Sequence, residues 1–179
     1  MPAYTRKGKY IYFGRYYQNN EKDKEPLKWI VLEEKDNKVL ILTDKLIDSR
    51  RFDEKTSDYM KSEIRKWLYE KFYQEAFNKE EQDIIDDTAI GKLFLLSVEE
   101  VSLYFPDDES KKAKGSKYAI KRDLWVDKNT RTSCWWLRTP INDFRYHAAA
   151  RVYSMGTVDS MYIGNEREGI RCACWIKIK

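Results

Sequence analysis

Tyr59-Met-Lys-Ser-Glu-Ile-Arg-Lys-Trp-Leu-Tyr-Glu-Lys-Phe-Tyr-Gln-Glu-Ala-Phe77 is the stretch that separates a mixed fold from an all-β one. Met60, Ile64, Trp67, Leu68, Phe72 and Ala76 fall at helical steps, as an apolar stripe packed on a core does. Ser57 or Asp58 stands where a capping residue belongs. Asn78-Lys-Glu-Glu81 and Ser97-Val-Glu-Glu100 each place Glu three residues after a capping side chain, a capping-box pattern. The first opens a short helix through Ile84 and Ile85. The second opens a helix that Pro106 closes. Residues 57–105 therefore hold two to three helices.

Strand patterns flank this block. Tyr10-Ile-Tyr-Phe-Gly14 reads as a short strand, and residues 19–26 as a polar loop. Leu27–Leu32 and Val39–Leu42 enclose a polar turn and read as a hairpin. Lys92–Leu96 is a buried-strand candidate, and residues 106–117 read as a loop. Ser133–Arg138 is strand-like and stopped by Pro140. Ala148–Tyr153 and Thr157–Ile163 flank a Ser-Met-Gly turn, and Ile170–Ile178 closes the chain as a strand. Strands, helices, then strands predict an α+β domain with small antiparallel sheets and a strand-rich C-terminal half. Residues 1–179 carry no linker long enough for a second domain.

The chain has 179 residues, 15% of them aromatic, which argues against disorder. No apolar run reaches the roughly 20 residues that span a bilayer. Met1–Lys7 lacks the apolar core of a signal peptide. The expectation is a cytoplasmic protein without a membrane segment. Net charge is +4, with −7 over residues 61–110 and +9 over residues 111–179. Such segregation suits an electrostatic docking surface.

Catalytic chemistry is hard to assemble from these residues. His147 is the one histidine. Cys134, Cys172 and Cys174 lack the paired spacing of a structural zinc site and read as core thiols, so no metal and no cofactor are expected. No nucleophile elbow or phosphate-binding glycine loop is present. Residues 111–131 carry eight basic residues with Tyr118 and Trp125 among them, a pattern compatible with nucleic acid. No recognised nucleic-acid motif accompanies it.

Three pieces together carry a resemblance. They are Ile11–Tyr16 with Trp29–Leu32, Ser62–Leu68 with Phe72, Tyr73, Ala76 and Phe77, and Cys134-Trp-Trp-Leu-Arg-Thr-Pro140 with Gly169-Ile-Arg-Cys-Ala-Cys-Trp-Ile176. In this order they resemble an uncharacterised bacterial and prophage domain family with Trp-Trp-Leu-Arg-Ser/Thr-Pro and Gly-Val-Arg-Pro-Ala-x-Trp-Ile signatures. The C-terminal half is similar to the formylglycine-generating-enzyme (sulfatase-modifying-factor) branch of the C-type-lectin fold. The resemblance implies a compact C-type-lectin-like domain. Cys172-x-Cys174 does not match the enzyme branch's reactive pair, so oxidase activity is not carried over. Trp135, Trp136, Arg138, Gly169, Arg171 and Trp175 are read as fold signatures. Of the two adjacent tryptophans, one is expected in the core and the other less buried. Gly169 is expected to relax the backbone before the last strand.

The resulting expectation is a noncatalytic recognition domain for a macromolecular partner, a protein before nucleic acid. Its candidate contacts are Tyr16, Tyr17, Lys111, Lys112, Lys114, Lys117, Lys121, Arg145, Tyr146, His147, Tyr153 and Met155, all taken as loop residues. The prophage setting implied by the resemblance suggests an inhibitor of a bacterial defence complex, of the anti-CRISPR kind, acting in the host cell. The alternatives are a formylglycine-generating-like thiol enzyme and a glycan- or nucleic-acid-binding module.

Overall fold

The computed structural model describes residues 3–178. Among the described residues, eight strands form two antiparallel sheets. The larger has the order β1-β2-β3-β4-β8 and the smaller β5-β6-β7. In the larger sheet β1 (Thr5–Lys7), β2 (Tyr10–Tyr17), β3 (Lys24–Lys35) and β4 (Lys38–Thr43) follow one another as a meander, and β8 (Ala173–Lys177) closes onto β4. In the smaller, β5 (Trp135–Ile141) pairs with β6 (Ala148–Val152), and β6 with β7 (Val158–Tyr162).

Strand β1 is not in the sequence reading and β8 is shorter than expected, beginning at Ala173; four further differences have a local reason. Strand β2 runs to Tyr17 because a bulge between Tyr12 and Arg15 absorbs Gly14. Gly14 adopts φ +69°, and a Cβ there would lie 2.6 Å from the Phe77 ring. Strand β3 already begins at Lys24, which shortens the expected loop. Strand β5 passes through Pro140, because its register shifts between Trp136 and Pro140 and the missing N–H is not needed. Residues 92–96 are mostly buried but form no strand; only Phe94 bridges to Ala173, with N–H···O distances of 3.0 and 2.8 Å.

The helical block follows the apolar stripe with one irregularity. Asp58 caps a 3₁₀ turn (Tyr59–Lys61), and Ser62 caps α1 (Glu63–Trp67). A π turn over Leu68–Phe72 joins α1 to α2 (Tyr73–Ala76). The wider turn rotates the stripe, so Leu68, Phe72, Tyr73 and Ala76 are all buried, while Met60 lies outside it and is exposed. Both expected capping boxes form, at α3 (Lys79–Ile84) and α4 (Val98–Tyr104). The expected loop over 106–117 contains α5 (Asp108–Lys111), capped by Asp107, and leads into α6 (Lys117–Lys121), capped by Ser116.

The signature residues join the two sheets. Residues 168–172 run between residues 46–50 and strand β5. Ile47 N–H donates to Ile170 O (2.9 Å), Ile170 N–H to Asp48 O (3.1 Å), Gly169 N–H to Cys134 O (2.9 Å) and Trp136 N–H to Gly169 O (3.0 Å). Trp135 and Trp136 do point to opposite faces, but both are fully buried, because this strand is covered on both sides. The Trp136 indole donates to Arg50 O (2.9 Å) and meets Phe52 edge-on; the Trp135 indole donates to Lys111 O (3.2 Å). Gly169 is required by space rather than by backbone freedom, since a Cβ would lie 2.4 Å from Leu46 Cδ1. Arg138 donates to Leu95 O (2.8 Å) and pairs with Glu100. Trp175 is half-buried on β8.

Trp136→Ala should lower unfolding stability by about 3–5 kcal/mol, through the lost ring and the void it leaves. Trp136→Phe should cost about 1–3 kcal/mol, because Arg50 O loses its donor. Urea unfolding measures both; a loss below about 1 kcal/mol for the alanine variant would remove Trp136 from the core.

Candidate functional site

Two features stand out once the fold is assembled, and both lie on the small sheet. The first is the β5–β6 loop, Asn142-Asp-Phe-Arg-Tyr-His147. Asp143 folds it back by accepting from the Arg145 backbone N–H (2.8 Å) and pairing with the Arg145 guanidinium (3.1 Å). That turn pushes Phe144 into solvent, where it is 97% exposed. The Arg145 guanidinium stands 5.7 Å from the Phe144 ring and 5.3 Å from the Tyr146 ring. Tyr146 meets Tyr162 of β7 edge-on at 6.0 Å. Strand β7 pairs with β6 on one side and with no other strand among the described residues. Val158, Met155 and Tyr162 add exposed apolar surface to this hairpin.

The second feature is a cleft of about 260 Å³ whose lining includes Trp125, Cys134, Arg151, Tyr153, Asn165 and Glu168. Trp125 and Tyr153 stack with centroids 6.3 Å apart. Arg151, buried on β6, donates to Glu168 Oε1 (2.6 Å) and to Asp159 Oδ1 (2.8 Å). Burial opposes the charge on Arg151, but its hydrogen bond to Asp159 and the charge of Glu168 raise its pKa above the usual value. Burial pushes the Glu168 carboxyl upward, and Arg151 opposes that shift. The same burial pushes the Cys134 thiol up to about 12.

The sequence-predicted contacts divide sharply on the structure. Tyr16 is corrected: it is a core residue of β2, not a loop contact, and meets Phe72 edge-on at 4.9 Å. Tyr17 also lies in β2, half-buried against Tyr118. Lys111 ends α5 and Lys112 follows as its C-cap, with side chains only 13% and 19% exposed, tied to Asp108 and Glu109. Lys114, Lys117 and Lys121 are open to solvent, the last two on α6. Arg145, Tyr146, His147 and Met155 are exposed. Tyr153 is half-buried, as a wall of the cleft. Phe144, Tyr162, Asn165 and Glu168 are not among the sequence-predicted contacts, and Trp125 is singled out there only as an aromatic of the basic segment. Phe144 was legible as a lone aromatic within a polar turn; Glu168 was not, because its partners come from β6 and from Asn165.

Other parts of the surface are less organised for chemistry. Cys172 and Cys174 are fully buried, and burial raises both thiols. Cys134 and His147 line different clefts. A cleft of about 400 Å³ gathers Arg50, Arg51 and Arg122 with Glu63, Asp123 and Glu166, so its charges are largely paired in place. Among the described residues, no group of three or more His, Cys, Asp or Glu is placed to hold a metal, and no helix is long and apolar enough to cross a membrane.

These features define a class: an α+β domain of two antiparallel sheets, with an exposed aromatic loop and a small walled cleft on the lesser sheet. Residues 36–178 match the family described as a domain of unknown function (DUF6273), and the chain belongs to that family. The match begins in the β3–β4 turn, so β1, β2 and β3 precede it. No curated protein and no solved structure matches the chain.

In the native chain at neutral pH, iodoacetamide should label none of the three thiols, whereas in urea it should label all three. Mass spectrometry of the labelled peptides reads this directly. Rapid native labelling of Cys134 would show that the cleft opens to its sulfur.

Proposed function

We propose that this chain is a noncatalytic recognition domain whose partner is a protein, bound at the Phe144–His147 loop and along the open edge of β7. The observation that carries the reading is the exposure of Phe144. A phenylalanine left in water forgoes about 1.5–3 kcal/mol that burial would return. Here the turn built by Asp143 and Arg145 holds it outward beside Tyr146 and Tyr162. Aromatic and arginine side chains at the centre of a patch are the residue types on which protein interfaces concentrate their energy. The free side of β7 offers backbone donors and acceptors to an extended segment of the partner, which would add as a fourth strand.

Neighbouring features favour this over the alternatives. A thiol enzyme needs an accessible thiolate, and burial raises all three thiols here. Nucleic-acid binding through the basic segment loses Lys111 and Lys112 to local ion pairs. Tyr118 is half-buried against Tyr16 and Tyr17, so little stacking surface is left there. The narrower proposal, an inhibitor of a bacterial defence complex, rests on the family resemblance alone.

The test is affinity capture with the tagged full chain from a lysate of the encoding organism, with and without nuclease. The wild-type chain should retain a protein in both arms. Phe144→Ser with Tyr146→Ser should weaken that complex at least tenfold, while Lys114→Glu, Lys117→Glu and Lys121→Glu together should leave it near wild type. Equal retention by the aromatic-loop variant, or loss of the protein on nuclease treatment, would overturn the reading.

A further inference from the structure

The cleft under Trp125 and Tyr153 has a feature that the recognition surface does not use. Glu168 is 2% exposed, and one of its two carboxyl oxygens is fully committed. Oε1 accepts from Arg151 (2.6 Å) and from Asn165 Nδ2 (3.0 Å). Oε2 is buried with no hydrogen-bond partner. A buried carboxylate oxygen without a donor costs free energy, and a protonated one needs an acceptor that is equally missing. Glu168 lines the cleft, so the missing partner can be supplied from there.

The charges around the cleft indicate the sign of that partner. Arg151 is shared between Glu168 and Asp159, two carboxylates to one guanidinium. Arg167, at the rim, is turned to Asp123, donating to its backbone carbonyl (3.2 Å) and pairing with its carboxylate (3.4 Å). Arg151, Arg167 and Glu168 line the cleft; with Asp159 and Asp123, the carboxylates outside it that engage the two guanidiniums, these five groups sum to one negative charge. The walls are apolar and aromatic: the half-buried faces of Trp125 and Tyr153, with Met161. The Arg151 guanidinium already stands 5.3 Å from the Tyr153 ring centroid, so the cleft holds one cation against an aromatic ring beside a buried carboxylate, a combination that attracts cations. A volume of about 260 Å³ admits a small molecule and not a folded segment of chain.

We infer that this cleft binds a small organic cation, an amine-bearing ligand whose N–H group donates to Glu168 and whose flat apolar body lies against Trp125 and Tyr153. The site is independent of the aromatic loop, and either can fail without the other. Backbone hydrogen bonds hold its two aromatic walls. Trp125 N–H is anchored to Arg167 O (3.1 Å), and Tyr153 N–H to Thr157 O (2.7 Å) in the β6–β7 turn.

Titration of the ¹⁵N-labelled full chain with tyramine, followed by amide and indole chemical shifts, tests the site. Tyramine should shift Trp125, Tyr153, Asn165 and Glu168 as a group. Its carboxylate counterpart, 4-hydroxyphenylacetate, should not. Glu168→Gln should weaken tyramine binding about tenfold or more, since a charge-assisted hydrogen bond is lost. Should that variant fail to fold, Trp125→Ala carries the same expectation at a half-exposed position. No shifts at these residues with tyramine, equal binding of the anion, or undiminished binding by Glu168→Gln or Trp125→Ala would overturn the inference.

Discussion

The guanidinium of Arg171 is the group on which this architecture turns. It is buried in the interior, where its Nε donates to Thr43 O (2.9 Å) at the end of β4. It lies 5.0 Å from the Trp135 ring of the small sheet and 5.7 Å from the Phe105 ring after α4. No carboxylate is within ion-pair distance among the described residues, and Nη1 has no partner. Burial lowers its pKa to about 10, with Asp44 opposing, so it remains charged at neutral pH. A charge in such a place is costly unless its surroundings answer it. Two aromatic faces and a carbonyl do so here, and they come from the three parts of the chain that must meet. Cys172 N–H and O complete the join through Thr43.

Much of this is legible in the residues and some is not, and the difference has a physical basis. Capping boxes at Asn78 and Ser97 are local, so four residues suffice to read them. The hairpins β3–β4 and β6–β7 are likewise short-range. The burial of both Trp135 and Trp136 is not local: it follows from what covers each face of β5, and those neighbours lie tens of residues away. Residues 92–96 read as a strand because they are apolar, yet they are held by packing and the bridge to Ala173. Tyr16 read as a loop residue because Gly14 suggested an end; the bulge instead carried the strand past it.

The proposed contact surfaces are less legible in the sequence for the same reason. Arg145, Tyr146 and His147 could be picked out as polar-aromatic loop residues, but Tyr162 joins them only through the pairing of β6 and β7. The cleft needs Trp125, a strand position at Arg151 and a turn at Asn165 to come together. Once they do, the division of labour follows. Trp135, Trp136, Gly169 and Arg171 are committed to the joint between the sheets, and the proposed contact residues sit on and beside β6 and β7 of the smaller sheet. An edge with one strand neighbour can adapt to a partner without disturbing that joint.

Native-state hydrogen exchange across a denaturant series addresses the joint most directly. If Arg171 makes one unit of the two sheets, the amides of Thr43, Ile47, Gly169 and Trp136 exchange only through global unfolding and share one free energy, while Phe144, Arg145 and Tyr146 exchange without it. Separate free energies for Thr43 and Trp136, one from each sheet, would show that the sheets open independently and that the buried guanidinium does not hold them together.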